Sequence, residues 1–214
     1  LYEFSFGHND AESIEESFPE ILECIPHLPS GVCLDGEILA WGREGLRSFS
    51  RLQKRLGRKQ PGPSVQKKEP VRFQAYDLLR IDGDDLRAQP MSERRKQLEK
   101  LIQSLPNHLP LGISPMVREK DWASLENRRK ESRERGVEGF MLKRMDSKYE
   151  SGRVKGCWYK WKVDPYVADM VVVSAQLGHG KRANLYSDYS LAVWNENGEL
   201  VTVAKAYSGL SNEE

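Results

Sequence analysis

The stretch from Val137 to Lys162, VEGFMLKRMDSKYESGRVKGCWYKWK, constrains this chain more than any other. It joins an apolar, strand-like run that ends at Lys143 to an alternating run that ends in Lys160-Trp161-Lys162. Side chains alternate between the two faces of a strand, so Lys160 and Lys162 point the same way. Neighbouring ammonium groups repel each other unless an anion lies between them, and a phosphate fits that role. The stretch therefore predicts phosphate binding, and the alternative is an amphipathic strand whose lysines are solvated.

An acidic residue, Glu138, stands just ahead of these cations. A phosphate bound by the lysines would repel this carboxylate unless a divalent metal bridges the two. Glu138 is therefore a candidate metal ligand.

The length and composition limit the class of protein. A chain of 214 residues with 38% hydrophobic residues can form one large domain, or a medium domain and a small one. No apolar run approaches the roughly 20 residues of a membrane span. The three cysteines lie far apart without a C-x-x-C pair, which indicates neither a disulfide framework nor a zinc site. We expect a reducing intracellular setting.

Charge is strongly segregated along the chain. Residues 1–42 contain nine acids and no Lys or Arg. Residues 43–72 contain ten basic residues and two acids, and residues 128–162 contain twelve and five. Basic segments of this size suit a polyanion such as nucleic acid. Pairing of these cations with the acidic N-terminal segment is the alternative.

Periodicity and capping residues predict most of the secondary structure. The apolar residues Leu46, Phe49, Leu52 and Leu56 follow helical spacing and should form one side of a helix. The arginines of that segment, Arg55 among them, should face away from this apolar side. The predicted elements, in chain order, are a strand over Leu1–Phe6, a helix over Ala11–Ile25, a helix through Leu46, Phe49, Leu52 and Leu56, a mobile basic loop over Gly57–Glu69, a strand over Val71–Ile81, a helix capped by Ser92, a helix from Trp122 to Arg135 capped by Asp121, and three short strands over Asp169–Val173, Tyr189–Trp194 and Leu200–Ala204.

The segment Asp35-Gly36-Glu37 interrupts an otherwise strand-like run. Acidic residues are poor choices for a buried strand, and such local conflicts are expected where carboxylates serve a site. A hairpin turn at Asp35-Gly36 with Glu37 exposed is the alternative.

With these motifs in order, the chain resembles the ATP-dependent DNA ligases of the nucleotidyltransferase superfamily. The motifs that carry the resemblance are Asp35-Gly36-Glu37, Tyr76-Asp77-Leu78-Leu79, Arg94-Arg95-x-x-Leu98, Glu138-Gly139-x-x-x-Lys143, Tyr149-x-x-Gly152-Arg153 and Trp158-Tyr159-Lys160-Trp161-Lys162. The resemblance implies an α+β fold: a nucleotidyltransferase (adenylation) domain over residues 1–163, with antiparallel sheets and flanking helices, and a partial OB-fold β-barrel over residues 164–214.

The resemblance also implies a reaction and its site. A lysine attacks the α-phosphate of ATP, the AMP passes to the 5′-phosphate of a nick, and the 3′-hydroxyl then displaces AMP. The implied ATP-binding residues are Glu37, Tyr76, Lys143, Arg153, Lys160 and Lys162, with Tyr76 stacking on adenine. Glu37 and Glu138 would hold Mg²⁺ or Mn²⁺. The expected partner is nicked double-stranded DNA, and the expected protein is a cytoplasmic, nucleoid-associated monomer without a membrane partner.

One family motif does not occur. The nucleophile of the family lies in K-x-D-G, and the chain contains no such sequence. We therefore expect an internal fragment that forms no lysyl-AMP when incubated with ATP and Mg²⁺. Two further hypotheses remain open from the sequence: an RNA ligase or capping-type nucleotidyltransferase, and a non-catalytic nucleic-acid-binding module. In the latter, Trp158 and Trp161 would stack on bases, although such residues also serve as core residues.

Overall fold

A computed structural model of the chain describes residues 15–152, 154–180 and 183–207. The chain divides into two compact units, residues 1–163 (unit 1) and residues 164–214 (unit 2). The strand expected over Leu1–Phe6 lies outside the described residues. The described elements are α1 (Pro19–Leu22), a 3-10 turn (Ile25–His27), β1 (Cys33–Gly42), β2 (Gly45–Leu46), α2 (Phe49–Gln53), α3 (Pro63–Lys68), β3 (Val71–Ile81), β4 (Asp84–Asp85), α4 (Met91–Ser104), β5 (Leu111–Ile113), α5 (Trp122–Lys130), β6 (Gly139–Lys143), β7 (Trp158–Lys162), β8 (Val171–Leu177), β9 (Tyr186–Trp194) and β10 (Leu200–Ala206).

Strand β3 lies at the centre of the larger sheet of unit 1 and has the bounds that its sequence predicts. It pairs antiparallel with β1 on one edge, and on the other edge with β4 (antiparallel) and β5 (parallel). Phe73 and Ala75 point into the apolar core, as expected from strand alternation. Helix α4 packs on this sheet through Leu98 and Leu101, which are buried with them.

Strand β1 carries Asp35-Gly36-Glu37 without a hairpin turn, so the turn in the alternative is wrong, whereas the exposure of Glu37 that it predicted is confirmed. Its register with β3 shifts between Asp35 and Gly36. A Cβ atom on Gly36 would lie 2.5 Å from the carbonyl oxygen of Gln74 and 2.9 Å from the Cα of Ala75. Only glycine allows the two strands to approach this closely, so the D-G-E motif follows from backbone packing as well as from its carboxylates.

The helix predicted over Ala11–Ile25 is only partly helical within the described residues, and α1 ends at Leu22. In its described part, α1 starts at Pro19. Proline has no backbone N–H to donate and is accommodated in the first turn of a helix, so it marks a start rather than an interior position.

Two predictions for residues 43–72 are wrong. The segment Gly57–Glu69, expected as a loop, contains helix α3. Arg55, expected to face away from the apolar side, is fully buried, whereas Leu56 is 47% exposed. The guanidinium of Arg55 donates two hydrogen bonds to the Glu20 carboxylate, at 2.7 and 2.9 Å. Tertiary pairing of a long polar side chain has overridden the helical pattern here.

The next two helices differ from the predictions only at their ends. Helix α4 begins at Met91 after Pro90, so Ser92 lies in the first turn and is not the cap. Helix α5 ends at Lys130 instead of Arg135, and its Asp121 cap is confirmed, since the side chain accepts a hydrogen bond from the Ser124 amide at 2.7 Å.

Strands β6 and β7 form a two-stranded antiparallel ribbon from the stretch singled out in the sequence. Gly139, at φ +139, lies against the backbone of Trp161, which leaves no room for a side chain. This close approach explains the glycine that follows Glu138.

Unit 2 contains a three-stranded antiparallel sheet in the order β10-β9-β8. All three strands were expected from the sequence. Strand β9 begins three residues earlier than predicted, β10 ends two residues later, and β8 both begins and ends later, at Val171 and Leu177. Ala192 of β9 is fully buried, whereas every residue of β8 is exposed. In the part of the chain that the structure describes, no helix combines the length and apolar character needed to cross a bilayer.

Candidate nucleotide-binding site

Strands β1 and β3 bring Asp35, Glu37 and Tyr76 close together on the central sheet of unit 1. Asp35 and Glu37 are two residues apart on β1 and pair with Asp77 and Gln74 of β3. Burial raises the pKa of the Tyr76 phenol, and the Asp35 and Glu37 carboxylates raise it further. The phenol of Tyr76 thus stays protonated beside two carboxylates.

Lys143, the last residue of β6, reaches this site. Its Nζ atom lies 4.3 Å from the centre of the Tyr76 ring and 3.9 Å from that of Trp158. Nζ is buried and makes no hydrogen bond with any described residue. Burial lowers the pKa of Lys143 to about 8, whereas the two ring faces favour the ammonium form. The site therefore contains a buried amine that donates no hydrogen bond within the described part of the chain.

The register of the β6–β7 ribbon places Lys143, Lys160 and Lys162 on one face. Lys143 lies opposite Trp158, Met141 opposite Lys160 and Gly139 opposite Lys162. Residues directly opposite each other in an antiparallel pair share a face, and alternate residues of one strand do as well. Because Lys143 and Trp158 contact Tyr76 from this face, the β7 lysines follow along the same side of the ribbon.

Glu138 lies at the far end of the ribbon and pairs with Lys162. The hydrogen bond and charge of Lys162, together with the charge of Lys160, lower the pKa of Glu138. The carboxylate is exposed and ionised, so it is accessible to a ligand or metal from solvent. Glu138 and the lysine pair are thus neighbours, as the sequence suggests.

The predicted site residues fall into two groups. The structure brings Glu37 and Tyr76 together with Lys143, and it brings Glu138 together with Lys160 and Lys162. Arg153 lies outside the described residues. Among the described residues, no group of three or more His, Cys, Asp or Glu side chains could hold a metal ion.

Sequence reasoning missed the polar contacts behind the site. Tyr149 donates a hydrogen bond to Asp35 at 2.8 Å, and Arg94 forms a fully buried ion pair with Asp77 at 2.8 Å. Tyr149 and Arg94 both belong to motifs that carry the family resemblance. Membership in those motifs is the one feature of the sequence that could have pointed to these contacts. Trp158, one of the two tryptophans considered for base stacking, lies against Lys143.

Trp161 contacts two side chains of helix α5. Its ring centre lies 5.9 Å from that of Trp122 and 4.9 Å from the guanidinium carbon of Arg129. The Arg129 guanidinium also donates a hydrogen bond to the Lys162 carbonyl at 2.7 Å. These contacts pack Trp161 against helix α5 and connect that helix to the ribbon.

Comparison with known proteins identifies the family. A family model described as "ATP dependent DNA ligase domain" matches residues 7–162. The chain belongs to the ATP-dependent DNA ligase family. This confirms the family expected from the motifs.

Relatives of the ligase chain agree with the family model. A "Probable DNA ligase" of Koribacter versatilis (strain Ellin345) is 36% identical over 95% of this chain, and the match spans 38% of that protein's length. A "DNA ligase" of Natronomonas pharaonis is 32% identical over 95% of this chain and 36% of its own length. The chain thus spans less than half the length of these relatives.

A solved structure supports the fold of the ligase chain. This structure, reported as "DNA binding with a minimal scaffold: Structure-function analysis of Lig E DNA ligases", matches with a TM-score of 0.62 at 23% identity. The match covers 84% of this chain and 63% of the solved chain. The mixed α/β, nucleotidyltransferase-like fold expected from the sequence is therefore shown.

Proposed function

We propose that this chain is the nucleotide-binding part of an enzyme that seals nicks in duplex DNA through lysyl-AMP and DNA-adenylate intermediates. The observation that carries the proposal is the Lys143 amine, which is buried between Tyr76 and Trp158 and finds no hydrogen-bond acceptor among the described residues. An unsatisfied buried polar group is costly. The amine therefore suits a ligand with an anionic hydrogen-bond acceptor, and the phosphate of a nucleotide provides one.

The remaining site residues suit the parts of ATP. Tyr76 offers a ring face for adenine, and Glu37, exposed on β1, is available to the ribose or to a metal. Lys160 and Lys162 follow Lys143 along one face of the ribbon, in position to neutralise phosphate charge. Arg153, from the Tyr149-x-x-Gly152-Arg153 motif, is proposed for phosphate or DNA.

We also propose Mg²⁺ or Mn²⁺ as the metal, held by Glu37 and Glu138. The two carboxylates lie in the two separate groups of site residues, so each would supply one ligand and the substrate would supply the others. Mg²⁺ is commonly bound in this way, through one or two carboxylates together with phosphate oxygens. The metal would neutralise phosphate charge during transfer. Glu138 would then exchange its ion pair with Lys162 for the metal, which would free that lysine for phosphate.

We also propose a domain assignment for the two units. Residues 1–163 would be the adenylation domain, and residues 164–214 would be part of an OB-fold domain. Three register shifts in the β8–β9–β10 sheet support the second assignment, because bulges add the curvature that a small barrel needs. The family's K-x-D-G sequence is absent from the 214 residues, so we assign the nucleophile to none of them.

Fluorescence anisotropy with three labelled duplexes tests the proposal. One duplex carries a 5′-adenylated nick, the second a 5′-phosphorylated nick, and the third is intact. We expect the adenylated nick to bind most tightly, and ATP with Mg²⁺ to reduce that preference. Tyr76→Ala and Lys160→Ala should abolish the preference. Lys96→Ala is the matched control, because Lys96 is an exposed lysine paired with Glu93 on α4.

Two results would contradict the proposal. Equal, salt-sensitive binding of all three duplexes, unaffected by ATP, would indicate a nucleic-acid-binding module without nucleotide recognition. A preference for the same nick in an RNA duplex would indicate the RNA ligase or capping-type alternative.

A further inference from the structure

Arg94 is a fully buried arginine whose hydrogen-bonding capacity is used up. Its side chain is 0% exposed, as is that of Asp77, with which it forms two parallel hydrogen bonds of 2.8 and 2.9 Å. The other N–H groups of the guanidinium point to the Ser147 carbonyl, the Gln89 carbonyl and the Met91 sulfur. A guanidinium has five donors in a fixed fork, and here each has an acceptor. This degree of satisfaction is what a buried charge requires.

The acceptor at Ser147 lies in the segment 144–149, which leaves the ribbon directly after Lys143. The first turn of α4 binds the same segment: the Met91 amide donates to the Ser147 carbonyl at 2.8 Å, and the Ser92 amide donates to the Met145 carbonyl at 2.9 Å. Backbone N–H groups at a helix start have no partner within the helix. The segment thus provides acceptors for this helix end, and Arg94 connects it to β3.

A second anchor holds the end of the segment. Tyr149 donates its hydroxyl proton to Asp35 on β1 at 2.8 Å, across 114 residues of chain. Its amide donates to the Arg87 carbonyl at 2.9 Å. Its ring lies edge-on to Trp158, with 5.5 Å between ring centres, and 5.8 Å from the guanidinium carbon of Arg94. The segment is therefore attached to both central strands.

We propose that Arg94 and Tyr149 are positioning residues: they fix segment 144–149 against β1 and β3, and thereby hold Lys143 and Trp158 over Tyr76. This role rests on the proposed nucleotide site, whose geometry depends on two parts of the chain that are far apart in sequence. Arg94 holds the middle of the segment through Ser147, and Tyr149 holds its end through Asp35. Neither residue is proposed to contact the nucleotide itself.

The geometry specifies arginine in particular. A lysine at position 94 would keep the charge beside Asp77, but it has three donors on a single nitrogen and cannot bind a carboxylate in parallel and two carbonyls at once. Arg94→Lys is therefore expected to preserve the ion pair and to lose the attachment of the Ser147 carbonyl. Arg95→Lys is the matched control, because Arg95 pairs with Glu99 on the same helix at 2.7 Å.

The test combines amide hydrogen exchange with ATP titration of the 214-residue chain. In Arg94→Lys we expect the Tyr149 amide and its neighbours in segment 144–149 to exchange about tenfold faster, with β1 and β3 unchanged, and ATP to bind about tenfold more weakly. Arg95→Lys should leave both values within about twofold. Tyr149→Phe, which removes one hydroxyl and keeps the ring, should accelerate the exchange of the same segment and weaken ATP binding.

The outcomes separate positioning from general stability. Faster exchange confined to segment 144–149 in Arg94→Lys and Tyr149→Phe supports the proposal. Unchanged exchange of that segment, or an equal increase throughout unit 1, overturns it. If Arg94→Lys does not fold, Tyr149→Phe decides the question alone. The exchange measurement needs no nucleotide, so a parent chain that binds no ATP would count against the proposed function only.

Discussion

The ammonium nitrogen of Lys143 lies 4.3 Å from the centre of the Tyr76 ring, and this contact joins the β6–β7 ribbon to the central sheet. It connects two residues that lie 67 positions apart in the sequence, with no local signal that they meet. The candidate site depends on this junction, because the β7 lysines and Glu37 belong to different sheets.

The first prediction concerns pH. Burial lowers the pKa of Lys143 to about 8 from its ordinary 10.5, so below pH 8 the folded protein carries an ammonium whose burial costs stability. Between about pH 8 and 10.5 the unfolded chain binds the extra proton, so this cost is relieved as pH rises. From pH 7 to pH 9.5 the parent chain should gain about 2 kcal/mol in unfolding free energy relative to Lys143→Met. Urea denaturation at the two pH values measures the difference, and a parallel pH dependence in both proteins would contradict it.

The second prediction concerns the buried ion pair. Asp77→Ala leaves the Arg94 guanidinium buried without its counter-charge, and we expect a loss of about 3–5 kcal/mol in unfolding free energy. Asp85→Ala serves as control, because Asp85 pairs with Arg87 at the surface, where both side chains are about half exposed. Its loss should shift the urea midpoint far less, since solvent screens exposed pairs. Equal losses of unfolding free energy in Asp77→Ala and Asp85→Ala would contradict the burial of the Asp77–Arg94 pair.

The third prediction concerns Gly36. A methyl group there would meet the β3 backbone at 2.5 Å, and backbone cannot move aside as a flexible side chain can. Gly36→Ala should therefore destabilise unit 1 by about 1–3 kcal/mol or more. Gly62→Ala is the comparison, because a Cβ at Gly62 meets no atom of a described residue within 4 Å and its φ of −65° suits any residue. Thermal unfolding of both variants checks this, and a stable Gly36→Ala protein would count against the close strand approach.

The fourth prediction concerns DNA. Several cations of residues 43–72 are already engaged: Arg51 and Lys54 pair with Glu69, and Arg55 pairs with Glu20. Lys67 and Lys68, exposed on α3, form no salt bridge with any described residue. If this surface contacts the DNA backbone, each lysine contributes about one unit to the slope of log K against log salt.

The double variant Lys67→Ala, Lys68→Ala should therefore lower that slope by about two units, measured by anisotropy over a range of NaCl concentrations. Lys96→Ala, which removes a lysine paired with Glu93, should leave the slope unchanged. An unaltered slope in the double variant would exclude α3 from the DNA-binding surface.

Local patterns in the sequence determined the secondary elements that positional alternation or a cap defines. Strand β3 has its predicted bounds, Asp121 caps α5, and Lys160 and Lys162 share a face of β7. Such features depend on interactions within a few residues, so a short window of sequence contains them. The family followed from the order of the motifs along the chain.

Only the tertiary structure decided which polar groups are buried and with what partner. The sequence did not indicate that Arg55 pairs with Glu20, that Arg94 forms a buried ion pair with Asp77, or that Tyr149 donates a hydrogen bond to Asp35 across 114 residues. These pairings form between strands and helices that meet only in the folded protein. There, exclusion of water makes each unsatisfied donor costly. The sequence alone thus determined most of the element types and the family, whereas the packed fold determined the polar contacts that hold the candidate site together.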